Sequence, residues 1–290
     1  MSSKPVILVT GGNQGLGHEA LKVLAQKKAY HLVVAARSLE KAVEAIKLIA
    51  AASGSDAAAD FTPVVIDLMS DETIQAAAAI VQEKFGHLDV LVNNAGIARS
   101  PKGDNATLRE DLRDVFETNV FGVAVMNEKF LPLLRASTFP QRRIVTVTSG
   151  LGMFGVALTE TSPYNAWNYQ FPVYRSSKSA VNMISAVDMI ALRDENIPTV
   201  LVEPGYCHTA FGNYHGHKDA DAGGRVIARA AVEGDNKDLT TGALRICSPG
   251  VQEHCPQDLQ SQAEFSEPQH LAPVTIYPTI EAQDPLLPRS

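Results

Sequence analysis

Pro5-Val6-Ile7-Leu8-Val9-Thr10-Gly11-Gly12-Asn13-Gln14-Gly15-Leu16-Gly17 runs from a short, apolar, β-branched stretch straight into glycines. The first half reads as a buried parallel strand. From Gly15 to Lys28 the apolar residues Leu16, Ala20, Leu21, Val23 and Leu24 recur with helical spacing, so the glycines occupy a strand-to-helix turn. Such a turn can hold phosphate. Gly11 permits the tight bend, Gly15 lets the backbone approach a pyrophosphate, Gly17 allows close helix packing, and the helix N-terminus offers N–H donors and positive dipole. Asn13, Gln14 and Leu16 complete the loop and are candidate contacts to the same group. An ordinary glycine-rich turn is the competing reading.

Working outward, the next strand, His31-Leu32-Val33-Val34-Ala35-Ala36, ends about twenty residues past the loop, where a ribose-reading residue is expected. An NAD site would place Asp or Glu there. The chain has Arg37 instead, whose guanidinium suits a 2'-phosphate, with Lys41 one turn into the following helix. NADP is therefore favoured over NAD, against the alternative that Arg37 is a solvated strand-end charge. Further strands are expected near 63–67, 88–93, 143–148, 199–203 and 243–247, with helices near 39–52, 71–85, 108–134 and 174–195. Alternating strands and helices in 290 residues of 45% apolar content imply a doubly wound parallel α/β sheet, a Rossmann fold of about seven strands with helices on both faces.

A second constellation lies downstream. Tyr174 lies 25 positions after Ser149 and opens Tyr174-Arg175-Ser176-Ser177-Lys178. A tyrosine hydroxyl titrates near pH 10 and exchanges protons poorly at neutral pH unless a cation stabilises the phenolate. Positions four apart share a helix face, so Lys178 can serve as that cation while its ammonium reaches a bound sugar. Alone, a Tyr-x-x-x-Lys pair is weak, since such spacings arise by chance on helix surfaces.

With the glycine loop, the pair resembles the short-chain dehydrogenase/reductase family in its single-domain branch, over roughly Val6 to Leu244. Thr10-Gly11-x-x-x-Gly15-x-Gly17, Asp67-Leu68, Asn93-Asn94-Ala95-Gly96, Asn119, Ser149, Tyr174 with Lys178, and Pro204-Gly205 with Thr209 carry the resemblance. It implies that Tyr174 gives a proton to a carbonyl oxygen as hydride arrives from the nicotinamide, that Ser149 holds the same oxygen, and that Lys178 binds the nicotinamide ribose. Asn119 would anchor a water leading toward Lys178; from the residues alone, an Asn satisfying a backbone group is the preferred account. Asp67 and Leu68 would lie beside the adenine, with Asp67 otherwise a helix cap near Ser70. Asn94, Ala95 and Gly96 would line the adenosine ribose, and Pro204, Gly205 and Thr209 the nicotinamide or pyrophosphate.

The chain departs from the family in three places. Between Ser149 and Tyr174 an insert, 150–173, carries Phe154, Tyr164, Trp167, Tyr169 and Phe171 together with Pro163 and Pro172, as a wall of an apolar pocket or as packing. Longer inserts of this kind in carbonyl reductases obstruct tetramer pairing, so a monomer or homodimer is expected. Gln14 stands where many NADP-using relatives have a basic residue, leaving Arg37 to discriminate nearly alone. After the catalytic domain, 1–247, the segment 248–290 holds seven prolines and reads as a mobile acidic tail.

Composition narrows the function class. The net charge of −7 offers no basic face for nucleic acid. No apolar run approaches membrane-spanning length, and Cys207, Cys247 and Cys255 show no metal-ligand spacing, which fits a cytoplasmic protein without a metal. His208, His215 and His217 fall in a segment, 205–220, expected to cover the substrate. The sequence thus points to an NADPH-dependent reductase of a ketone or aldehyde on a fairly apolar small molecule. The alternatives are an NAD-dependent alcohol dehydrogenase and a nucleotide-binding sensor without turnover.

Overall fold

The computed structural model describes residues 4–56, 60–162, 164–167 and 171–234 and the backbone of 245–247, all within the compact unit Met1–His254. The tail expected over 248–290 lies outside the described residues, as do Pro163 and Tyr169 of the insert.

Seven parallel strands form one sheet in the order β3-β2-β1-β4-β5-β6-β7. They are β1 (Val6–Val9), β2 (His31–Ala36), β3 (Phe61–Val65), β4 (Val90–Asn93), β5 (Arg143–Val147), β6 (Thr199–Glu203) and β7 (Arg245–Cys247). Ile7 and Val9 of β1 and Leu32 and Val34 of β2 point into one core layer, against α1 (Gly15–Gln26) and α2 (Leu39–Ser53). Val6, Leu8, Val33 and Ala35 point the opposite way, against α3 (Asp71–Phe85). Both faces are covered, which is why these strands read as unbroken apolar runs rather than alternating ones.

The third strand starts two residues earlier than expected, at Phe61, and carries Pro63 in mid-strand, paired in register with Val34. β3 is the sheet edge, where a missing backbone N–H costs no ladder bond. The helices α2 and α3 each begin on a serine cap, Ser38 and Ser70, and end on a left-handed glycine, Gly54 and Gly86.

The long helix expected over 108–134 is two helices, α4 (Leu108–Phe116) and α5 (Gly122–Ala136), joined by a π-helical turn at Glu117–Phe121. A short α6 (Phe154–Leu158) lies in the insert, α7 (Pro172–Ala191) follows it, and α8 (Ala220–Val232) precedes β7. The strand order reverses between β1 and β4. In doubly wound sheets such a reversal opens a crevice at the carboxyl ends of the strands, the usual place for a ligand.

Candidate active site

Thr10 closes one wall of that crevice by bonding the ends of β1 and β4. Its Oγ1 accepts from the N–H groups of Asn94 and Ala95, both at 3.0 Å, and its carbonyl accepts from Asn94 Nδ2 at 2.8 Å. The glycine loop leaves β1 over this staple. A side chain at Gly17 would meet the Gly11 carbonyl at 2.6 Å, whereas one at Gly15, which has φ +57°, would meet nothing within 4 Å. Gly17 is thus required for packing and Gly15 leaves open space in front of the α1 N-terminus.

The side chain of Gln14, the α1 N-cap, makes no capping bond. The first-turn N–H groups therefore face that open space, and the arrangement fits a pyrophosphate. Leu16 turns its side chain away into the core, and Asn13 is half-buried in the same loop. At the end of β2, Arg37 is exposed, and among the described residues its guanidinium pairs with no carboxylate; Lys41 is exposed one turn on. Asp67 accepts from the Met69 N–H at 3.1 Å, while Ser70 is the helix cap. Leu68 is a core residue by its side chain, and its carbonyl lies against Gly122, where a Cβ could not fit.

Ser149, Tyr174 and Lys178 come together although the first two lie 25 positions apart. Ser149 caps a 3-10 turn, Gly150–Gly152, and that turn is sewn to α7: Ser179 Oγ donates to the Gly152 carbonyl at 2.8 Å. Gly152 has no side chain to spare, since a Cβ there would lie 2.7 Å from Lys178 Cβ. The close approach brings Ser149 beside the buried Tyr174 hydroxyl, whose proton affinity it lowers. Lys178 Nζ donates to the Val147 carbonyl at 2.9 Å and stands 5.7 Å from the Tyr174 ring centroid.

Burial sets the electrostatics. It holds the Tyr174 phenol well above its ordinary value, with Ser149 opposing and the Glu203 carboxylate adding to the rise. Burial also lowers Lys178 to about 8. Burial is the largest influence on the Tyr174 phenol in this geometry.

Asn119 sits in the π-helical turn, almost fully buried. Its side chain is occupied by protein: Oδ1 accepts from Ile97 N–H, and Nδ2 donates to the Ile97 carbonyl and to Ser177 Oγ. The backbone-satisfying account of this residue describes its side chain correctly, but the partner is 22 residues away rather than local. Asn119 Oδ1 lies 3.0 Å from where a Gly96 Cβ would be, and Lys178 Nζ 3.7 Å, so Gly96 leaves room beside both.

Past β6, Gly205 takes φ +91° and donates its N–H to Glu203 Oε1 at 3.0 Å. Pro204 accepts from Lys218 Nζ at 2.7 Å, and Thr209 is buried. His208 rests on Tyr214 and His217 on Tyr206. Among the described residues, no three His, Cys, Asp or Glu side chains gather as a metal site, and no helix is long and apolar enough to cross a membrane. Arg175 pins the insert to α7 by donating to the carbonyls of Tyr164 and Asn165. Phe154, Trp167 and Phe171 of the insert are exposed rather than packed.

Thr10 and Gly152 are the placing residues that sequence reasoning overlooked. Thr10 stands in the glycine motif, so its spacing was a usable signal. Gly152 gave none.

Known proteins resemble this chain in sequence and fold. The chain is 56% identical over 237 residues to the short-chain dehydrogenase anuI of Penicillium roqueforti, covering 82% of this chain and 92% of that one. It is 35% identical over 270 residues to the short-chain dehydrogenase/reductase eupG of a Phoma species, covering 83% and 95%. Among solved structures, the NADPH-bound carbonyl reductase from chicken fatty liver superposes with a TM-score of 0.69 at 26% identity, covering 84% of this chain and 96% of that one. A family model described as short chain dehydrogenase matches residues 5–220, and the chain belongs to that family of NAD(P)-using oxidoreductases.

Proposed function

We propose that this oxidoreductase uses NADPH to reduce a ketone or aldehyde on a fairly apolar small molecule, with Tyr174 as proton donor. The observation that carries the reading is the buried Tyr174 with Ser149 acting on its hydroxyl and Lys178 one turn further along α7. The nicotinamide, when bound, supplies the hydride.

The chain's own residues do the rest. Ser149 Oγ and Tyr174 Oη converge on one carbonyl oxygen and orient it. Tyr174, kept protonated by burial, breaks its O–H bond and gives the proton to that oxygen as negative charge grows there. Lys178, charged below about pH 8, stabilises the resulting phenolate and keeps donors beyond the one spent on Val147 for ribose hydroxyls. Asn119 holds the Ile97 backbone beside Gly96 and Ser177 beneath Tyr174.

Gly11, Asn13, Gln14, Gly15, Leu16 and Gly17 hold the pyrophosphate through the α1 N-terminus. Arg37, whose guanidinium pairs with no carboxylate among the described residues, takes the 2'-phosphate. Asp67, Leu68, Asn94, Ala95 and Gly96 line the adenosine side, and Pro204, Gly205 and Thr209 the nicotinamide side. Residues 1–247 form the catalytic domain, in a cytoplasmic monomer or homodimer. The NADPH-bound state of the chicken reductase supports the cofactor assignment, and NADPH is normally kept reduced in cells, which supports the reductive direction.

The test is NADPH and NADH oxidation by wild type and Tyr174→Phe over quinones, aryl ketones and aliphatic aldehydes. Wild type prefers NADPH, and the variant loses about 10²–10⁴ in turnover while still binding cofactor. Cofactor binding without turnover in both proteins would refute the reading.

A further inference from the structure

We propose that Phe211 determines specificity at this site, as a braced aromatic wall that favours carbonyls conjugated to a flat ring over aliphatic ones. The inference rests on the reductase reading and adds a substrate class to it.

The Phe211 ring meets the Tyr174 ring edge-on, with centroids 5.6 Å apart and planes at 61°. Tyr174 is buried, yet Phe211 is 49% exposed. One part of the Phe211 ring therefore covers the phenol, and the remainder is open beside it. A carbonyl that reaches both Tyr174 Oη and Ser149 Oγ brings its substituents alongside that open surface.

The segment carrying Phe211 is braced from within. His208 N–H donates to the Lys218 carbonyl at 2.7 Å and Lys218 N–H to the Tyr206 carbonyl at 3.2 Å, closing the loop at its base. Inside it, the Thr209 carbonyl accepts from Gly212 and Tyr214 N–H groups. Asn213 and Tyr214 both take left-handed backbone, φ 49° and 60°, which a bulky tyrosine adopts only when its surroundings impose it. The His208–Tyr214 ring contact at 5.3 Å and the Tyr206–His217 contact at 6.0 Å supply that support. The rings of Tyr206 and His217, and of His208 and Tyr214, face each other across the loop. Phe211 instead meets a ring of α7, that of Tyr174.

A ring placed at this distance and tilt acts on a flat substrate through its quadrupole as well as its area, since aromatic pairs gain at centroid separations of 4.5–7 Å. An alkyl chain gains only the area term. The preference is therefore for aryl ketones and quinones, expressed in substrate binding rather than in the proton transfer.

The experiment compares kcat/KM for aryl ketones and quinones with that for aliphatic aldehydes of equal carbon number, in wild type, Phe211→Ala and Phe211→Trp. NADPH binding by fluorescence titration establishes that each variant retains a folded cofactor site. Expected is an aryl-to-aliphatic ratio that falls about tenfold in Phe211→Ala, equivalent to about 1.4 kcal/mol. The fall lies in KM and is restored toward wild type by Phe211→Trp. Turnover with equal losses for both classes, or with the change confined to kcat, overturns the role of Phe211 and leaves the reductase reading standing. Absence of turnover of either class by wild type overturns both together.

Discussion

Asn119 clasps the backbone of Ile97 from both sides, accepting from its N–H and donating to its carbonyl at 2.8 Å each. The two residues lie 22 positions apart, one in the π-helical turn and the other just beyond the Asn93-Asn94-Ala95-Gly96 stretch. The clasp ties the floor of the crevice to the helix carrying Asn119. Replacing Asn119 by Ala removes these partners from the half-buried N–H and carbonyl of Ile97, each costing about 1–2 kcal/mol, the lower part of the range for buried groups. Urea unfolding is expected to show a loss of about 2–4 kcal/mol, and a variant as stable as wild type would contradict the clasp.

Lys178 imposes a pH dependence on stability. Its value is lowered by burial from 10.5 to about 8, so the unfolded chain binds the proton more tightly than the folded one. The cost of burying the charge is complete below about pH 8 and is relieved as pH rises from there toward 10.5. The unfolding free energy of wild type relative to Lys178→Met should therefore increase across that window. Denaturant melts at pH 7.5, 9 and 10.5 test it, and a flat difference would rule out the linkage.

Arg37 is expected to set cofactor preference. A guanidinium hydrogen-bonded to phosphate contributes about 1.5–3 kcal/mol, so Arg37→Asp should lower the NADPH-to-NADH affinity ratio by about 10- to 100-fold. Fluorescence titration of both nucleotides measures it, independently of any substrate. An unchanged ratio would leave Arg37 as a solvated strand-end charge.

Arg143 does structural work at the other end of the sheet. It is fully buried on β5 and donates to the carbonyls of Ala230, Glu233 and Gly234, closing the C-terminal end of α8. Those carbonyls sit at the negative end of the helix dipole. Arg143→Met is expected to cost about 3 kcal/mol or more in denaturant midpoint analysis, with Arg143→Lys recovering only part of it, because an ammonium cannot fork to several carbonyls.

The sheet and most helices were legible because strands covered on both faces must be continuously apolar and helices must repeat with their own period. The glycine loop before α1 and the one-turn spacing of Tyr174 and Lys178 on α7 were legible for the same reason, since each depends on near neighbours. What escaped depends on distant ones. The helix α8 was missed because Gly223 and Gly224 lie in its first turns and depress helix propensity. Both are required there: a Cβ on Gly224 would stand 2.5 Å from Glu19 Cβ, and one on Gly223 2.6 Å from Cys207 Sγ. Gly152 beside Lys178 and the π-helical turn at Asn119 are of the same kind. The start of β3 was misplaced because Pro63 reads as a boundary unless the strand is known to lie at the edge.

That proline has a further effect. An edge strand exposes a row of amides and carbonyls that can template a strand from another molecule, the first step toward aggregation. With Pro63 at the middle of β3, the outward row lacks a donor and its ring blocks close approach. The open side of the sheet is thereby a poor seed for intermolecular β-pairing, a protection supplied by one residue.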